Sequence, residues 1–110
     1  MITEIKKGMS KNIRVKIKYE GERPDISADT VRFLLKSSRT LADESAEINA
    51  TADVLSKGSR GIADFNLSPT VTNVTAGKYY YEIIWERSTG DKYTLDSGTV
   101  FVTTPLYGVT

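Results

Sequence analysis

Between Lys78 and Glu86 the chain reads KYYYEIIWE, and its large side chains fall on alternate positions. Tyr79, Tyr81, Ile83 and Trp85 share one side. Tyr80, Glu82, Ile84 and Glu86 share the other. A period of two is the signature of a half-buried strand. Burial stabilises by about 25 cal/mol per Å² of apolar surface, and aromatic rings carry the most, so the first face can anchor a small core. A polar turn, Arg87 to Asp91, follows, and a second strand runs from Lys92 to about Thr103. The pair predicts a long β-hairpin. In the second strand Tyr93 and Leu95 have one parity, Val100 and Val102 the other. A single-residue bulge at Ser97-Gly98 would turn both pairs inward.

The rest of the chain reads as shorter strands between turn signals. Ile2 to Lys6 is an edge strand with a slip or bulge. Asn12 to Tyr19 alternates cleanly, with Ile13, Val15, Ile17 and Tyr19 inward. Its outward Arg14, Lys16 and Lys18 read as a solvated face whose cations discourage edge pairing. Thr30 to Ser37 turns Val31, Phe33 and Leu35 inward and leaves Leu34 at least half covered on the other face. After a loop from Ser38 to Glu44, Ser45 to Leu55 fits a strand better than a helix, because Ala46, Ile48, Ala50, Ala52 and Val54 alternate. Gly61 to Leu67 would pair with it as a second hairpin, with Ala63, Phe65 and Leu67 inward. Val71 and Val74 would plug the bottom of the core.

Composition removes several classes of chemistry. The 110 residues suit one domain, and the chain has no Cys and no His. Disulfides, thiolate nucleophiles, the commonest general base and the commonest transition-metal ligand go together. With 15 basic and 14 acidic residues the net charge is +1, which gives no footprint for nucleic acid or an anionic membrane. No apolar run approaches the roughly 20 residues of a membrane span, and the N-terminus lacks the apolar core of a signal peptide. The protein is expected to be made and kept soluble in a cytoplasm, at least until it assembles into something. Glu20, Glu22, Asp25 and Asp29 cluster in one loop, but without a ligand-spacing motif they read as an ordinary charged loop. Glu82 and Glu86 lie about 13 Å apart along one strand face, beyond the ~5–9.5 Å of glycosidase pairs. The chain is therefore expected to be no enzyme and to carry no cofactor.

Seven strands without a confident helix predict an all-β, immunoglobulin-like antiparallel sandwich over residues 1–103, with a tail at 104–110. In that topology the first, second, fifth and fourth strands form one sheet, and the third, sixth and seventh the other. Tyr79 opens the sixth strand, where its hydroxyl can bond back to the chain in a tyrosine corner. Tyr81 stands where antibody domains place their second Cys.

Four segments, TVRFLLKS (Thr30 to Ser37), GIADFNLSP (Gly61 to Pro69), AGKYYYEIIW (Ala76 to Trp85) and YTLDSGTVFV (Tyr93 to Val102), carry a family resemblance. The block from Thr30 to Val102 resembles the immunoglobulin-like domain at the N-terminus of phage baseplate upper proteins and related modules of tailed-phage virions. The resemblance covers about two thirds of the chain and brings no functional residues with it. It implies a structural, non-catalytic part of a virion: a baseplate, tail or head-surface component. Unlike the baseplate pattern, the sequence ends soon after the domain, so either an excised domain or a small stand-alone decoration, neck or tail-accessory protein is expected. Its partners would be other virion proteins, in a homo-oligomer or docked on a symmetric particle. Candidate interface residues are the outward Tyr80 and Ile84 and the apolar tail residues Leu106 and Tyr107. The alternative is a carbohydrate- or receptor-binding module with a glycan stacked on Tyr80, Tyr93 or Tyr107. A bacterial surface domain would need export.

Overall fold

A computed structural model describes residues 2–106. Seven strands form in chain order: β1 (Glu4–Lys6), β2 (Lys11–Lys16), β3 (Thr30–Lys36), β4 (Ile48–Thr51), β5 (Ile62–Leu67), β6 (Gly77–Glu86) and β7 (Lys92–Thr103). Single turns of 3-10 helix cover Asp43–Ser45 and Gly58–Arg60. The fold is an all-β sandwich of the immunoglobulin-like kind. A five-stranded sheet in the order β1-β7-β6-β3-β4 faces a two-stranded sheet of β2 and β5. Every pairing is antiparallel except that of β1 with β7, which is parallel.

The core lies between the sheets and is built by the alternation of each strand. Phe33, Leu35, Phe65, Tyr81, Ile83 and Trp85 are all buried there. Phe33 stacks on Tyr81 at 6.0 Å between ring centroids and meets Phe65 edge-on at 6.1 Å. The tyrosine corner forms: the Tyr79 hydroxyl donates to the Thr75 carbonyl at 2.6 Å. Leu34, on the outer face, is only 2% exposed. Val74 is buried as expected, whereas Val71 is exposed.

Three expectations are corrected. First, the sheets are composed differently. β1 leaves β2 and joins the edge of β7, so that Ile5 is buried opposite Val102. β4 pairs with β3. Second, β4 and β5 form no hairpin. Ala52 donates its N–H to Val31 of β3, while the next residue, Asp53, exchanges both backbone bonds with Asp64 of β5. The chain thus changes sheets between two residues, and the strand expected over Ser45 to Leu55 shrinks to four residues. The Asp53 carboxylate then ends the segment by accepting from Leu55 N, Ser56 N and Ser56 Oγ. Third, the bulge lies at Leu95, where Ile83 opposes Asp96 and Ile84 opposes Thr94. Gly98 has another role. A Cβ there would meet the Tyr81 ring at 3.3 Å, so the glycine admits the close approach of a core aromatic.

The turn after β2 is tight and strained. Tyr19 and Glu22 exchange backbone bonds at 2.7 and 3.1 Å around Glu20 (φ 53°) and Gly21 (φ 82°). Two positive φ values make the mirror-image hairpin turn that prefers Asn-Gly. A glutamate in the left-handed region costs roughly 1–2 kcal/mol. Glu20→Asn should therefore stabilise the domain by about 0.5–1 kcal/mol. A urea midpoint that stays put or falls would show that Glu20 carries a compensating interaction.

Candidate interaction surface

The outer face of the five-stranded sheet holds two of the residues expected at an interface. Tyr80 lies opposite Lys36 and Thr99, and Ile84 opposite Arg32 and Thr94. Both are half-buried. The Arg39 guanidinium sits 4.5 Å from the centre of the Tyr80 ring, and the Lys78 ammonium 5.7 Å from it. Lys36 donates to the Leu41 carbonyl at 2.8 Å and to Asp43 at 2.7 Å, folding the Ser37 to Glu47 loop over the sheet. The lysine holds the Asp43 carboxyl below the usual carboxylate range by hydrogen bond and charge. A cavity of about 150 Å³ remains, with Leu34, Arg39, Tyr80, Glu82 and Ser97 among its lining.

Several large apolar side chains are exposed elsewhere: Leu55 and Val71 singly, and Met9, Phe101 and Leu106 toward the end where β1 and β7 meet. Leu106 is 97% exposed. It lines a groove of about 590 Å³ with Glu4, Lys6, Met9, Lys11 and Pro105. Phe101, 51% exposed, pairs in register with Glu4 and lies on the outer sheet face. Leu106 was expected here. Tyr107 lies outside the described residues. Phe101, outward because Val100 and Val102 face the core, was not among the residues expected at an interface. Nor was Met9, which is 37% exposed.

Of the rings named as stacking platforms, Tyr80 and Tyr93 are engaged within the chain. Tyr93 packs on Trp85 at 5.4 Å and on Tyr19 at 5.8 Å. Arg87 lies about equally far from two of those rings, 5.1 Å from Tyr19 and 5.2 Å from Trp85. The acidic loop is likewise spoken for. Asp25 accepts from Ser27 N and Oγ. Asp29 accepts from Trp85 Nε1 at 2.9 Å and from Ser88 N at 2.8 Å. Its carboxylate ties the β6–β7 turn to the loop before β3. No group of three or more potential metal ligands gathers among the described residues.

On the opposite sheet, Arg14 of β2 makes a two-pronged pair with Asp64 of β5 at 2.8 and 3.1 Å. The guanidinium keeps the Asp64 carboxyl below the usual range, chiefly by hydrogen bonding. Burial pushes the Tyr79 and Tyr81 hydroxyls up, and for Tyr81 its bond to Asp96 at 2.9 Å adds to the effect.

Residues and architecture together define an all-β sandwich domain with exposed apolar side chains at Phe101 and Leu106. No family model matches the chain, and no curated protein matches it. Among solved structures it is similar to the soluble domain of PmoD from Methylocystis sp. ATCC 49242 (Rockwell), with a TM-score of 0.53 and 15% identity over 91% of this chain and 77% of that one. At that identity the likeness shows the fold alone.

Proposed function

We propose that the chain is a non-catalytic structural protein of a tailed-phage virion, a component of a baseplate, tail or head surface that acts by protein–protein assembly. The observation that carries the assembly half of this reading is the exposure of Leu106 in the groove it shares with Met9, with Phe101 exposed beside the Glu4 that lines the same groove. Contiguous exposed apolar surface marks interaction sites, and virion parts occupy symmetric positions. The resemblance over Thr30 to Val102 supplies the virion setting.

Light scattering after size exclusion, at two concentrations, tests the assembly. The wild type should form a closed oligomer such as a trimer or hexamer, and the Phe101→Ser/Leu106→Ser variant should run as a monomer. A monomeric wild type at both concentrations would remove autonomous assembly. Particles banded by density from a lysate of the source strain test the setting: they should contain the 12.2 kDa chain. Confinement of the chain to particle-free fractions would overturn the virion reading.

A further inference from the structure

We propose that the free edge of β2 takes an additional β-strand from a partner, one with aliphatic side chains on its inward face and carboxylates on its outward face. This goes beyond the virion reading and stands on different residues. Among the described residues β2 is paired on one side only, in a sheet of two strands. The strand nearest to it in sequence, β1, is committed to β7.

The hydrogen-bond phase shows which groups are left over. Ile17 donates its N–H to Gly61 at 2.8 Å, and the register continues through Val15 with Ala63 and Ile13 with Phe65. In an antiparallel ladder the bonded residues alternate, so the N–H and C=O of Asn12, Arg14 and Lys16 point away from β5. Asp64 confirms the phase, since its backbone groups are used on the far side of β5 by Asp53. That contact caps part of the β5 edge and leaves β2 as the open one.

Beside this edge the sandwich has a groove of about 410 Å³. Ile2, Val15 and Leu95 line it, each only partly covered against the core, with Ile83 below them. A strand hydrogen-bonded to β2 would project every second side chain into this groove. Strand addition works in this way: backbone bonds give affinity, and pockets for alternate side chains give specificity.

Charge selects the occupant. Arg14 is neutralised by Asp64, but the outward Lys16 and Lys18 have no carboxylate within ion-pair distance among the described residues. Two β2 edges brought together would set these cations against one another, and like charges across a strand pair are destabilising. The lysines therefore repel a second copy of the chain and attract an acidic strand.

The test uses two capped ten-residue peptides, one alternating Val with Glu and one alternating Val with Lys, with residue-resolved amide hydrogen exchange as the readout. The acidic peptide should slow exchange at Asn12, Arg14 and Lys16 by about tenfold or more, and the lysine peptide should not. Lys16→Pro removes an outward N–H without touching the bonds to β5, and should abolish the protection. Should that variant fail to fold, Lys16→Glu/Lys18→Glu keeps the backbone intact and should reverse the preference between peptides. Absence of protection at millimolar acidic peptide, equal protection by both peptides, or protection confined to other strands would overturn the proposal. So would peptide-free protection of the same amides that grows with protein concentration, which would mean self-pairing.

Discussion

Trp85→Ala is expected to lower the unfolding free energy by about 3–5 kcal/mol, a large part of the stability of a domain this size. The indole is 1% exposed and joins four parts of the chain. It meets Tyr19 edge-on at 5.8 Å, Tyr93 at 5.4 Å and Arg87 at 5.2 Å, and its N–H reaches Asp29 at 2.9 Å. Truncation opens a cavity and leaves a partly buried carboxylate short of one donor, so transfer, packing and hydrogen-bond losses fall on one site. Trp85→Phe separates them. It keeps most of the volume but not the bond to Asp29, and should cost clearly less. Urea denaturation followed by circular dichroism measures both. Equal midpoints for wild type and Trp85→Ala would remove Trp85 from the core that organises the sandwich.

Gly61→Ala, a change of one methyl group, should cost roughly 1–3 kcal/mol. Gly61 holds φ 71°, in the left-handed region, where a side chain is strained whatever the space. Here there is no space either. A Cβ would lie 3.0 Å from the Ile17 carbonyl oxygen and 3.2 Å from the Pro24 carbonyl oxygen. Both are backbone atoms, and Ile17 is bonded through its own N–H to Gly61. Relief of the clash must therefore loosen the start of the β2–β5 pairing. Gly8→Ala is the control: its φ is 72°, but nothing lies within 4 Å of the added carbon. If the two variants melt together, conformational strain alone accounts for Gly61, and the close packing contributes nothing.

Much of this architecture was legible because side-chain alternation reports which way a residue faces. The facing of Tyr79, Tyr81, Ile83 and Trp85, of Ala63, Phe65 and Leu67, and of Ile13, Val15 and Ile17 follows from period alone. The inward positions of Ile48, Ala52 and Val54 are right even where the strand is not. Facing does not specify partners. The sheet change between Ala52 and Asp53 is a matter of backbone bonds to Val31 and Asp64, far apart in sequence, and side-chain pattern carries no trace of them. The bulge was misplaced for a related reason. A glycine inside a strand marks either an irregular register or a close approach, and Gly98 is the second kind. At the surface, Leu106 stood out as an apolar residue near the terminus. The open edge of β2 did not, because it exists only once β1 has gone to β7.

The parallel pairing of β1 and β7 also decides how the domain bears load. Both strands lie next to the chain ends, joined by bonds such as Phe101 N to Thr3 O at 3.1 Å and Lys7 N to Thr103 O at 2.8 Å. Tension applied through the two termini draws parallel strands in opposite directions along their length. The bonds across such a ladder then share the force in shear instead of opening one at a time like a zipper. Anchored at both ends, the domain would resist stretching as a unit, and its first event under pull would be the release of Ile5 from its place beside Val102.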